Sequence, residues 1–157
     1  MAKIALIMVG KTAQKYVDEA VSEYVKRLKF YVSLEIIVIP ELKDTKNTPI
    51  SVQKQKEGEQ VLKKIQDNDD VILLDEKGSE FTSVEYAAFL EKRLVASKRI
   101  VFVIGGAFGF SPEMYARANS KISLSQMTFS HQIIRILFTE QLYRAFTIMK
   151  GENYHHE

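Results

Sequence analysis

From Ile4 to Val9 the chain is an unbroken apolar run closed by Gly10, and beyond it Val17, Ala20, Val21, Tyr24, Val25 and Leu28 recur at helical spacing. A short run with no polar interruption predicts a strand buried on both faces, and the recurrence predicts an amphipathic helix packed on it. The pair repeats. Leu34 to Ile39 is apolar, rich in β-branched residues and stopped by Pro40, and Val61, Leu62 and Ile65 close a second helix whose outer face is charged. Val71 to Leu74 predicts a third strand ending at Asp75, followed by a helix marked by Val84, Ala87, Ala88, Leu90 and Leu94. Ile100 to Ile104 predicts a fourth strand that runs straight into Gly105-Gly106-Ala107-Phe108-Gly109. A helix start comes next, with Ser111 suited to the N-cap, Pro112 to the first helical position and Glu113 to the first turn. A short strand near Ile122 to Leu124, a loop and a long helix from about Ser130 to Lys150 complete the pattern.

Strands alternating with helices predict an α/β fold, a mostly parallel sheet with helices on both faces, here as a single domain over residues 1–157. Sheets of this kind bind ligands beyond the carboxyl ends of their strands. The loops after Leu74, Ile104 and Leu124 are therefore the places to look.

Composition narrows the chemistry only a little. The 22 Lys and Arg nearly balance 20 Asp and Glu, so any contact with a polyanion must come from a local patch. With no Cys there is no disulfide, thiolate metal site or cysteine nucleophile, which fits a reducing, cytoplasmic setting. The opening apolar run of six residues is too short for a signal sequence or a membrane span. The Lys-rich stretch from Glu41 to Lys56 reads as a surface loop entering a helix.

Glycines at 105, 106 and 109 leave backbone amides free to approach a ligand, although an isolated glycine-bearing turn reads the same way. Gly10-Lys11-Thr12 echoes the end of a phosphate-binding loop, but Ala5 stands where that motif requires its first glycine. In the last helix Ile134, Leu137, Phe138, Leu142, Ala145, Ile148 and Met149 share one side at about 100° per residue. Arg135, Thr139, Glu140, Tyr143 and Arg144 fall off that stripe, with Glu140 and Arg144 spaced for an i,i+4 ion pair. Such a face is ordinarily a solvated one; the competing reading is that His131, Arg135 and Arg144, beside a candidate ligand loop, meet an RNA phosphate and base. The three histidines lack the spacing and carboxylate company of a metal site, so no metal is expected. Asp75 at a strand end more often caps a turn than accepts a phosphoryl group.

The segments LIMVGK, KEGEQVL, VFVIGGAFGFSPEM and SLSQMTFSHQIIRILFTEQLYRAFTIMKGENYHHE occur in this order. Over essentially the whole chain they resemble the small SPOUT-class (α/β-knot) methyltransferases that methylate N3 of a pseudouridine in 23S ribosomal RNA of the large subunit. The resemblance implies a C-terminal trefoil knot, a homodimer, and S-adenosyl-L-methionine held by Leu74, Gly105, Leu124, Ser125, Gln126, Met127, Thr128 and Phe129. It also implies a C-terminal tail that brings Tyr154 and His155 to the target base, preferably on the assembled ribosome, with His155 favoured over Tyr154 as the group that removes the N3 proton; the alternative is a tail that only orders the RNA or pins the dimer. Beside it, His131, Arg135 and Arg144 are the expected substrate contacts and Arg144 a catalytic candidate, while an ion pair or interface contact for either arginine, or a loop-orienting role for Arg135, stays open. The chain departs from the family pattern at Ser130 and Asn153, where prolines are common; Ser130 can still cap the helix.

Two rivals remain at this level. An α/β nucleotide-binding oxidoreductase lacks support because no glycine fingerprint follows the first strand. The other is a non-catalytic RNA-binding ribosome-assembly factor that keeps the fold.

Overall fold

The computed structural model describes residues 1–156. Five strands alternate with five helices: β1 (Lys3–Val9), α1 (Lys15–Leu28), β2 (Ser33–Ile39), α2 (Ile50–Leu62), β3 (Asp70–Glu80), α3 (Ser83–Ala96), β4 (Ile100–Ile104), α4 (Pro112–Arg117), β5 (Ser120–Ser123) and α5 (Ile133–Met149). The strands form one sheet in the order β2-β1-β4-β3-β5, and every neighbouring pair is parallel. Alternate side chains of a strand point to opposite faces, so each apolar run supplies two cores at once. Ile4, Leu6, Met8, Phe102 and Ile104 pack with Leu28 of α1, Leu90 of α3 and Phe138, Leu142 and Phe146 of α5. Ala5, Ile7, Val9, Val101 and Val103 pack with Val61 of α2 and Met114 of α4 on the other face. The α/β fold with both faces covered thus follows from the uninterrupted apolar strands. Among the described residues, no helix is long and apolar enough to cross a membrane.

The two ends of the sheet differ in kind. Where the strands begin, the Asp69 carboxylate accepts from Arg99 Nε and Nη2 at 3.0 and 2.6 Å, and Asp70 accepts from Arg93 at 2.7 and 2.8 Å. Arg117 donates to the Gln66 and Asp69 carbonyls there. Paired charges close that end. Where the strands finish, the connections are loops around an open space.

Three elements depart from the sequence reading. β3 does not end at Asp75; after a register shift between Leu74 and Ser79 it continues to Glu80 and pairs again with β5. α5 begins at Ile133 rather than Ser130: Ser130 to Gln132 form a turn in which Ser130 Oγ accepts from the Ile133 N–H at 3.0 Å. The buried side of α5 is also rotated relative to the expected stripe. Arg135, Phe138, Thr139, Leu142, Ala145 and Phe146 face inward, whereas Ile134, Leu137, Ile148 and Met149 are only half-buried. Arg135 and Thr139, polar and off the expected apolar stripe, lie on this inward side. Thr139 Oγ1 donates to the Arg135 carbonyl at 2.8 Å, and the Arg135 guanidinium is satisfied by four oxygens described below. A polar group whose donors are all met loses the main penalty of burial.

Candidate functional site

A cavity of about 760 Å³ opens at the carboxyl ends of β3, β4 and β5. Leu74, Ile104, Leu124, Phe129 and Ile134 give it apolar walls; Lys54, Asp75, Glu76, Lys77 and His131 stand at its polar margin. One side is the glycine loop, where Gly109 has φ +83° and its N–H donates to the Gly106 carbonyl at 3.3 Å. A Cβ on Gly105 would lie 3.0 Å from the Phe110 ring, so the backbone there can approach a ligand only because no side chain intervenes.

The opposite side is the segment from Leu124 to Phe129. Ser123 Oγ donates to the Ser125 carbonyl at 2.7 Å, and Ser125 Oγ accepts from the Met127 N–H at 3.0 Å, so hydroxyls fold this segment on itself. Thr128 Oγ1 donates to Glu76 at 2.7 Å, tying the segment to the extension of β3. Tyr115 donates to Asp75, which also accepts from the Lys77 N–H at 2.9 Å. Burial, and then the Asp75 carboxylate, push the Tyr115 phenol up to about 12, so it stays a donor at neutral pH.

The segment is anchored at its far end by the entry to α5. Arg135 donates to the His131 carbonyl at 3.1 Å, to the Val9 and Gly10 carbonyls at 2.8 and 2.9 Å, and to Thr12 Oγ1 at 2.9 Å. Gln132 accepts from the Ala13 N–H and donates to the Lys11 carbonyl. Together they fasten the first turn of α5 to the end of β1. The expectation that Arg135 offers charge to RNA is corrected by this geometry: the side chain is fully buried and its donors point into the protein.

Of the expected cofactor residues, Leu74, Gly105, Leu124, Ser125, Met127, Thr128 and Phe129 line the cavity, and so does His131; Gln126 lies on the exposed bend between them and does not. Arg144, Tyr154 and His155 are not part of the cavity lining. Arg144 lies ten residues beyond Ile134 on α5, a rise of about 15 Å. There Glu140 accepts from Arg144 Nε and Nη2 at 3.0 and 2.5 Å and from the Tyr154 hydroxyl at 3.2 Å. The Arg144 guanidinium lies 4.7 Å over the Tyr154 ring, which meets Tyr143 edge-on. The hydrogen bond it donates to Glu140 holds Arg144 above the usual arginine value, and burial, with Tyr24 and Glu140 adding to it, holds the Tyr154 phenol well above its own. Tyr154 is thus a hydrogen-bond donor rather than a base. Arg144 Nη1 is 3.1 Å from His155 Nδ1, and because a guanidinium only donates, Nδ1 is the acceptor of this bond. The i,i+4 pair read from spacing is therefore real, and it organises a polar cluster around the tail.

Sequence reasoning missed Lys54, Glu76 and Tyr115 at the cavity and Glu57 behind it. The residues 54, 57, 58 and 61 of α2 share one helical face at i, i+3, i+4 and i+7, a signal hidden by the charges around it.

The family model described as "Predicted SPOUT methyltransferase" matches residues 2–155. The chain is 53% identical, over 99% of both sequences, to "Ribosomal RNA large subunit methyltransferase H" of Parabacteroides distasonis. It is 52% identical to the protein of that name from Phocaeicola vulgatus and 51% identical to that from Bacteroides fragilis strain ATCC 25285, each over 99% of both chains.

Proposed function

The chain belongs to the SPOUT methyltransferase family, and from that premise we propose that it transfers a methyl group from S-adenosyl-L-methionine to N3 of a pseudouridine in 23S ribosomal RNA, acting on the large subunit or assembled ribosome in the cytoplasm. The observation that carries the reading is the cavity itself, with apolar walls from Leu74, Ile104 and Leu124 and a loop whose glycines at 105, 106 and 109 carry no side chain. An apolar slot bordered by loop amides suits a purine and a thioether, and at the mixed-charge margin Asp75 and Glu76, set among Lys54 and Lys77, offer carboxylates to a cationic donor. When bound, that donor supplies an electrophilic methyl group on a sulfonium. The protein's part is then to align the acceptor in line and to help N3 lose its proton.

The groups suited to the second task are Arg144, Tyr154 and His155, which stand outside the cavity of their own chain. A homodimer resolves this separation by presenting the tail cluster of one protomer to the cavity of its partner. Support comes from α5, which is apolar nearly all round and leaves Ile133, Ile136, Leu137 and Ile148 half-exposed after its inner face is buried, as expected of a helix with a second surface to cover. In this arrangement Tyr154 donates a hydrogen bond to the base edge, Arg144 faces the RNA, and His155 takes the proton through Nδ1 once the base displaces Arg144. The trefoil knot implied by the family belongs to the same reading.

Calorimetric titration with S-adenosylhomocysteine tests the donor site. The parent protein should bind it, and Gly105→Val, folded by circular dichroism, should bind at least about tenfold more weakly, because its side chain must displace Phe110 or occupy the slot. Equal binding by the two proteins would put the donor elsewhere.

A further inference from the structure

Behind the glycine loop, outside the cavity lining, α2 turns one face toward β4 and α4. Gly58 sits where a Cβ would come within 2.7 Å of Ser111 Oγ, the N-cap of α4, and Val61 reaches the core beneath. One turn earlier, Lys54 borders the cavity. Between them is Glu57, a half-buried carboxylate whose two oxygens lie 2.9 and 3.0 Å from where a Gly106 side chain would begin, and whose ionised form the Gly106 amide favours. A carboxylate against a loop amide makes a charge-assisted hydrogen bond, stronger than one to a neutral acceptor. The mutual approach of Gly58 to Ser111 and Glu57 to Gly106 fixes α2 against both ends of the loop that follows β4.

We infer that Glu57 is a positioning residue of the donor site, holding the Gly105–Gly106 backbone in the shape that the methyl donor binds. The inference rests on the donor reading given above. A side chain at 106 would have to push this carboxylate away from the loop. Burial holds the Glu57 carboxyl above the usual glutamate value; the Gly106 amide works against this and the neighbouring Glu41 adds to it. Glu41 is the titratable group beside Glu57, Lys54 stands one turn away on α2, and the segment from Gly105 to Phe110 carries no charge. The ionised form is the better acceptor, so the loop is held above the raised value and released as pH falls through it.

The test is titration of S-adenosylhomocysteine into the parent, Glu57→Gln and Glu57→Ala from about pH 8 to about pH 5, with circular dichroism to confirm folding. The expected result is that Glu57→Ala binds about tenfold more weakly at pH 8 while Glu57→Gln, which keeps an acceptor for the amide, recovers most of the affinity. Parent affinity should fall toward pH 5 and that of Glu57→Gln should not, which separates Glu57 from His131 at the cavity margin. Parent-like binding by a folded Glu57→Ala, or a Glu57→Gln profile that falls in parallel with the parent's, overturns the inference while leaving the donor site intact. Failure of the parent to bind at any pH overturns the donor reading and this inference with it.

Discussion

Arg135 shows how a single residue changes meaning between sequence and structure. By spacing it lies off the apolar stripe of a long helix, as Arg144 does on the opposite side, and a cation near a ligand loop invites an RNA phosphate. In the fold it is fully buried, has no carboxylate partner among the described residues, and is bonded to three carbonyls and a hydroxyl. Burial lowers its pKa from the usual arginine value, with Glu41 acting in the opposite sense, yet a guanidinium remains charged at any pH of interest. Four oxygens compensate the lost hydration and, in return, the cation fastens α5 to the end of β1. Arg135→Ala is expected to lower unfolding stability by about 3 kcal/mol, since it orphans buried carbonyls and leaves a cavity. Urea denaturation checks this, and a loss below about 0.5 kcal/mol would mean that the clamp does not stabilise the fold. The one-dimensional pattern gives Arg144 an acid at i,i+4 and Arg135 none, but it does not show that Arg135 turns inward, because its partners Thr12, Val9 and Gly10 lie 123 to 126 residues away.

At the level of elements, the strands and long helices were legible because an uninterrupted apolar run and a 3.6-residue recurrence each have one good structural solution. The extension of β3 was not. Asp75 to Glu80 is polar and lies at the edge side of the sheet beside the four-residue β5, so its pairing is backbone bonding without an apolar signature. The helix start at Ser111 was readable down to its cap, for the hydroxyl accepts from the Met114 N–H as the Ser-Pro-Glu order predicts. The tail was only half readable. Gly151, with φ +67°, ends α5 as expected, but its docking on Glu140 and Arg144 depends on side chains eleven and fourteen residues away. A chain ending at Glu152 should keep donor binding within about twofold and lose methyl transfer to ribosomes by at least about a hundredfold. If each site takes its cavity from one protomer and its tail from the other, mixing this truncated chain with folded Gly105→Val should restore part of the activity that neither has alone. Full activity of the truncated protein would remove the tail from the chemistry.

Across the whole molecule the sheet divides labour between its ends. The starts of the strands are closed by Asp69–Arg99 and Asp70–Arg93, and the finishes are left to glycine loops and the cavity. Burial alone would raise the Asp69 carboxyl, but bonds from Arg99 and the Gln66 amide, with the charges of Arg99 and Arg117, hold it below the usual aspartate value. A lowered folded pKa contributes stability that is present above the unfolded value and lost as pH falls through the folded one. Asp69→Asn should therefore cost about 3 kcal/mol near pH 7, with the difference from the parent shrinking below about pH 4, as read from denaturant unfolding across pH. Donor affinity should be unaffected, because this end of the sheet is remote from the cavity. The function of the open end is tested most directly by mass mapping of the modified nucleosides in 23S ribosomal RNA from cells with and without the gene. The expected result is loss of one methyl group from one pseudouridine, restored by the parent gene but not by the chain ending at Glu152; an unchanged methylation pattern in the deletion strain would rule out this activity.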